Sequence, residues 1–170
     1  MLGSLITSKT RLRMLIKFFI SAANNGYLNG LANEFNESTN SIRKELNNLS
    51  SAGYLLKSKE NNRDVYNANT SHPMFEVLQK IVRQHLGLED IVETVIDRIG
   101  DVDQIALTGK YAEGIDSGNI EIIINGLDVN EDYLNSIKPK IKKKIGREVI
   151  FLVNQKQDLN VIILYKKTTK

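Results

Sequence analysis

The stretch Glu37 to Gly53, ESTNSIRKELNNLSSAG, constrains the chain most. Its apolar residues Ile42, Leu46 and Leu49 step by four and three, one face of a helix. The other face carries Ser38, Thr39, Asn40, Ser41, Arg43, Lys44 and Asn47. These are short donors and acceptors with two cations, concentrated in the first turns. A helix needs that chemistry at its N-terminal end to touch the base edges and phosphates of double-stranded DNA. The rest of the chain is expected to position this helix.

What precedes it fits that role. Ser8 to Ala23 reads as a first helix, with Ser8 or Thr7 as its cap and Leu12, Leu15, Ile16, Phe19 and Ile20 as its apolar stripe. Asn24-Asn25-Gly26 ends it, and Tyr27-Leu28 reads as a brief strand. Asn29 to Phe35 is a short second helix, and Asn36-Glu37-Ser38 a tight turn, with Ser38 or Thr39 capping the third helix. Gly53 stands where a helix ends cheaply in a left-handed residue. Then come a strand, Tyr54 to Ser58, a polar tip, Glu60-Asn61-Asn62-Arg63, and a returning strand, Asp64 to Ala68. A basic hairpin directly after such a helix is a wing, with Lys57, Lys59 and Arg63 flanking phosphates and Asn61 and Asn62 at the tip.

Residues 8–69 resemble a winged helix-turn-helix of the arsenic-repressor-like class. The phrase LANEFNESTNSIRKELNNLSSAGYLL carries the match. The resemblance implies a recognition helix in the major groove and a protein that binds as a homodimer. It implies DNA contacts from Ser38, Thr39, Asn40, Ser41, Arg43, Lys44 and Asn47, with Lys59, Asn62 and Arg63 from the wing. Metal sites of that class use cysteine and histidine clusters, which this chain lacks, so metal sensing does not carry over. The bland alternative is a winged helix that binds protein or only dimerises.

Ser71-His72-Pro73 reads as a linker. Helix 74–86 is apolar on nearly two faces, so it is expected to be covered on both; Gly87 breaks it, and apolar residues from Leu88 to Ile99 repeat at helical spacing. Helix 74–86 is the candidate dimer element; packing inside one chain fits the sequence as well.

From Gln104 the period changes. Residues 104–108 read as a buried strand, 109–114 as a turn and short helix, 119–125 as a second strand, 131–145 as a helix and 148–153 as a third strand. Asp158 to Lys166 holds a last apolar run. This order resembles the core of the minimal nucleotidyltransferases, whose signature is a Gly-Ser after the first strand and Asp-x-Asp on the next. Those carboxylates hold the magnesium ions that bridge a triphosphate. Here Gly109 matches the glycine, Lys110 replaces the serine, Asn119 replaces the first aspartate and Glu121 the second. The third carboxylate falls at Ile150 or a neighbour, with Glu148 close by. A neutral amide for a ligating aspartate removes charge that divalent cations need. The expectation is a degenerate domain without catalysis, metal or cofactor, kept as a scaffold or as a nucleotide or small-molecule effector pocket at Gly109, Lys110 and Glu121.

Bulk properties bound the alternatives. No run of eighteen apolar residues exists, so no membrane span is expected, and Met1 to Thr7 is too short and uncharged for a signal peptide. The absence of cysteine removes disulfides, thiolate metal sites and cysteine nucleophiles, and fits a cytoplasmic location. Residues 1–70 hold nine Lys/Arg against five Asp/Glu, and residues 71–170 fourteen against fifteen. The positive excess lies with the proposed DNA helix, as phosphate neutralisation requires. Lys138, Lys140, Lys142, Lys143 and Lys144 with Arg147 form a basic run, read as a solvated face, with a second nucleic-acid contact or an acidic partner as the alternative. His72 and His85 stand apart and read as surface or linker residues.

The sequence therefore predicts an α+β chain in three parts: a winged helix-turn-helix at 1–70, linker and dimerisation helices at 71–100, and a degenerate nucleotidyltransferase-like domain with a mixed sheet at 101–170. Its expected function is transcriptional regulation by DNA binding. The alternatives are a nucleotidyltransferase-fold enzyme or nucleotide sensor carrying a winged helix, in which Glu121 and Glu148 would hold metal, and a protein-interaction module.

Overall fold

A computed structural model describes residues 2–156 and 160–168. Among them are helices and two sheets, an α+β arrangement. The chain divides into two compact units, Met1–His85 and Leu86–Lys170.

The first unit opens with a short helix α1 (Leu2–Leu5), then α2 (Lys9–Phe19). Ser8 caps α2 by accepting from the Arg11 N–H. The helix ends at Phe19, four residues before Ala23. Ser21 accepts from the Ala23 N–H, and the Asn24 amide donates to the Lys17 carbonyl at 3.0 Å, so short polar side chains satisfy the backbone that a longer helix would have used. The brief strand β1 is Asn25–Gly26 rather than Tyr27-Leu28, because these residues pair antiparallel with Asn67 and Tyr66. Tyr27 instead precedes α3 (Leu28–Phe35) as its N-cap.

Asn36, left-handed at φ 52°, closes α3, and Ser38 caps α4 (Thr39–Ser51) by accepting from the Ser41 N–H at 3.2 Å. Ile42, Leu46 and Leu49 of α4 are buried with Met14, Phe18 and Phe19 of α2. Each such side chain contributes about 1.5–3 kcal/mol of burial. Past α4, Gly53 takes φ 80°, and the Tyr54 N–H returns to the Leu49 carbonyl at 2.9 Å. That is the left-handed helix ending expected at Gly53.

The hairpin is β2 (Leu55–Glu60) and β3 (Arg63–Ala68), longer than the sequence pattern implied, in the sheet order β1-β3-β2. Its turn contracts to Asn61 and Asn62, both with positive φ. Helix α5 (Phe75–Leu86) follows, its first turn aided by His72, whose Nδ1 accepts from the Met74 N–H at 3.1 Å. Among the described residues the expected cover on both faces of α5 is incomplete: Val82 and Leu86 are buried, but Val77 is 44% exposed, and Met74 just before the helix is 40% exposed.

The second unit begins with α6 (Leu88–Ile96), three residues shorter than its apolar repeat, and β4 (Asp101–Thr108), which starts three residues before Gln104. Then come α7 (Gly109–Ala112), β5 (Asn119–Leu127), α8 (Glu131–Ile145), β6 (Glu148–Val153) and β7 (Ile162–Lys166). The final strand is confined to 162–166; Asp158 and Leu159 lie outside the described residues. The sheet order is β6-β5-β4-β7, with β5 parallel to β6 and the other pairs antiparallel, the mixed sheet expected. α8 joins the parallel pair as a crossover and packs on β6 and α6, and α7 packs on β4 and β5. Ile105, Leu107, Ile120, Ile122 and Ile124 form the core of this unit.

Candidate nucleic-acid interface

Ionic contacts tie α2 to α4, to the turn before it and to α3. The Arg11 guanidinium holds Glu45, an acid on the inner side of α4 that is only 6% exposed, with Nε to Oε2 at 2.9 Å and Nη2 to Oε1 at 3.3 Å. Arg13 donates to the Phe35 carbonyl at 3.0 Å and to Glu37 at 2.7 Å, so it spans the turn between α3 and α4. Thr10 also donates to Glu37. Lys17 pairs with Glu34 of α3 at 2.9 Å. The three cations of α2 after Lys9 are thus spent inside the unit.

The outer side of α4 differs. Ser38, Thr39, Asn40, Ser41, Arg43, Lys44 and Asn47 are all exposed. The structure brings them together on one face, opposite the buried Ile42, Leu46 and Leu49. Four of them make local contacts: Ser38 Oγ lies 3.1 Å from Ser41 Oγ as part of the cap. Arg43 donates to the Asn40 side chain at 3.1 Å, which levels both over the first turn.

On the hairpin, Lys59, Asn62 and Arg63 are exposed. Lys57 is drawn across β2 to Asp64 at 2.8 Å, which raises its pKa through that hydrogen bond. Lys59 stands opposite Asp64 in the register yet makes no ion pair with it. Among the described residues Arg43, Lys44, Lys59 and Arg63 have no carboxylate partner, while Arg11, Arg13, Lys17 and Lys57 all do. Arg63 does not extend freely. Its guanidinium lies over the Tyr27 ring, 5.0 Å from the centroid. Tyr27 was read in the sequence as a strand residue, and no local pattern marks it as the partner of a residue 36 positions on.

The second candidate site lies on β4 and β5. Gly109 takes φ 66°, a left-handed backbone that favours glycine, and a Cβ built there would sit 2.4 Å from Glu121 Oε1, so a side chain at 109 would push that carboxylate aside. Glu121 pairs with Thr108 on one side and Ile150 on the other, and Asn119 pairs with Glu148. Gly109 and Glu121 therefore meet, while Lys110 is exposed. Glu148 is paired with Lys142. Asp116 is held by the Tyr111 hydroxyl and, at 3.4 Å, by Arg147. Burial comes first among the effects that push the Tyr111 hydroxyl up to about 12, followed by its bond to Asp116.

The basic run of α8 is partly neutralised within its own unit. Lys144 pairs with Asp90 at 2.6 Å, Lys142 with Glu148 and Arg147 with Asp116, and Lys138 bonds Asn135. Among the described residues no helix is long and apolar enough to cross a membrane.

No family model matches the chain, and no curated protein matches it. Among solved structures, an antimony-specific transcriptional repressor aligns at 17% identity over 54% of this chain and 77% of its own, with a TM-score of 0.40. A DNA-binding protein from Sulfolobus solfataricus aligns at 11% identity over 54% of this chain and 92% of its own, with a TM-score of 0.36. Likenesses this distant do not assign the chain to a family.

Proposed function

We propose that this protein is a DNA-binding transcriptional regulator of winged helix-turn-helix type, working in the cytoplasm as a homodimer. α4 is the recognition helix, entering the major groove by its N-terminal turns, and β2–β3 is the wing on the adjacent backbone. One observation carries the reading: Arg43 and Lys44 of α4 and Lys59 and Arg63 of the hairpin are exposed with no carboxylate partner among the described residues, while Arg11, Arg13 and Lys17 of α2 are each paired with a glutamate. A folded protein leaves charge uncompensated at low cost only at the surface, and a row of such charges beside short polar side chains suits phosphates and base edges. α5 supplies the dimer surface, with Val77 exposed on it and Met74 exposed just before its first residue.

The test is fluorescence anisotropy with a random duplex across a salt series. We expect micromolar or tighter binding at low salt that falls steeply as salt rises. Arg43→Ala and Lys44→Ala should each weaken it about tenfold while the melting temperature holds. Unchanged affinity in both variants would sink the assignment of α4.

We read the second unit as a nucleotidyltransferase-like scaffold without transfer activity. In support, the strand partner of Glu121 is Ile150, Asn119 brings no charge, and Asp116 is engaged by Tyr111 and Arg147. Magnesium-dependent transfer from a labelled nucleotide that disappears in Glu121→Gln would overturn this and make the protein an enzyme. A nucleotide or small-molecule effector at Gly109, Lys110 and Glu121 would bind without turnover.

A further inference from the structure

We propose that Tyr27 and Gly30 form, with Arg63, a prebuilt clamp for one phosphodiester of the DNA backbone; the proposal rests on the DNA-binding reading above. The clamp has three layers. At the bottom is the first turn of α3 at Gly30, where a Cβ would lie 2.9 Å from the Tyr27 ring, so the ring rests directly on the helix backbone. The ring is the middle layer, 38% exposed. The Arg63 guanidinium covers it, 5.0 Å from the ring centroid.

The chemistry follows from what this leaves open. A guanidinium held over a ring by a cation–π contact keeps N–H donors available to an anion. Arg63 makes no ion pair among the described residues, and its neighbour Asp64 pairs with Lys57 through Oδ2 while its buried Oδ1 has no hydrogen-bond partner. A cleft of about 480 Å³ opens beside the stack, lined by Tyr27, Leu28, Asn29, Arg63, Asp64 and Tyr66. A planar donor edge held at a cleft mouth matches the two non-bridging oxygens of a phosphodiester. Stacking also removes rotamers of a long side chain before binding, so little entropy remains to be lost on contact. Arg63 directly follows the Asn61–Asn62 turn, so the same stack fixes the direction of the wing tip. Tyr27 is thus a positioning residue acting through Arg63.

The test uses the full-length protein and a labelled random 20-base-pair duplex over a salt series. Arg63→Ala is expected to weaken binding roughly tenfold and to lower the slope of log K against log salt by about 0.9, one phosphate's share. Tyr27→Leu should reproduce most of that loss, Tyr27→Phe should bind as the unmodified protein, and Tyr27→Leu with Arg63→Ala should be no weaker than Arg63→Ala alone. Arg63 is exposed, so Arg63→Lys tests the stack without risk to folding: we expect a loss of about threefold despite the retained charge. Binding by Arg63→Lys or Tyr27→Leu that equals the unmodified protein, while Arg43→Ala and Lys44→Ala lose it, would overturn the clamp alone. Loss that is additive in the double variant would make Tyr27 merely structural. Inorganic phosphate displacing the duplex better than sulfate at equal ionic strength would make the stack a free-anion pocket and also overturn it. No duplex binding in any variant would overturn the DNA reading itself.

Discussion

Tyr111 shows how one side chain ties a loop to a sheet. It is fully buried, and its hydroxyl donates to Asp116 while accepting from the Gly118 N–H at 3.0 Å and from Arg147 Nε at 3.1 Å. Burial, then the Asp116 bond and charge, push it from 10.0 up to about 12. Below about pH 10 the folded and unfolded chains both carry this proton, and the contribution to stability is whole. Between 10 and 12 the unfolded chain releases it while the folded chain keeps it, so stability falls as pH rises, by on the order of 1.4 kcal/mol per unit. We therefore expect the melting temperature to drop across this window, and to drop less steeply in Tyr111→Phe. That variant starts lower at pH 8, because Asp116 and Arg147 lose a partner. Parallel slopes for the two proteins would overturn the account. None of this was legible in the sequence. Asp116 lies three residues before Asn119, but Arg147 is 31 residues further on, and its sequence pattern groups it with the lysine run. Such a network exists only once β5 and β6 lie side by side.

At the scale of elements, legibility followed the source of the signal. α4 was readable because burial alone decides its apolar spacing, and the Ser38 cap and Gly53 ending are local chemistry. Glu45 was missed as an inward residue, since its burial depends on Arg11 of another helix. β1 was misplaced because two residues have no period, and only pairing with β3 defines them. The hairpin tip was recognised by composition but not by turn type. Asn61 and Asn62 have φ of 46° and 61°, the signature of a two-residue type I′ turn, and asparagine tolerates that region less well than glycine. Asn62→Gly should therefore stabilise the hairpin by about 0.5 kcal/mol, read from denaturant unfolding. If Asn62 touches DNA, the same variant loses affinity while gaining stability. A fall in both would mean that the side chain supports the fold and that the turn is not strained.

At the scale of the whole molecule, charge divides between the two units. Met1–His85 holds eleven Lys/Arg against six Asp/Glu, and Leu86–Lys170 twelve against fourteen. A phosphate backbone is attracted to the first and weakly repelled by the second, so deleting α8 lysines should change DNA affinity far less than deleting Lys44. The apolar surface on α5 asks for a different partner. Met74, immediately before α5, and Val77, in its first turn, are both exposed, while the same helix buries Val82 and Leu86. Two exposed apolar side chains are ordinary alone, but here they extend a helix whose inner face is already used. A second copy offering the same surface would cover both at once in a two-fold contact, and would double the phosphate contacts on DNA. Val77→Glu, or Met74→Glu with it, places like charges across that axis. Sedimentation should then show monomer where the unmodified protein is dimeric, with the melting profile of each unit retained. Duplex binding should weaken more steeply with dilution in the variant. A mass unchanged by both substitutions would remove α5 from the dimer and leave Met74 and Val77 as ordinary surface.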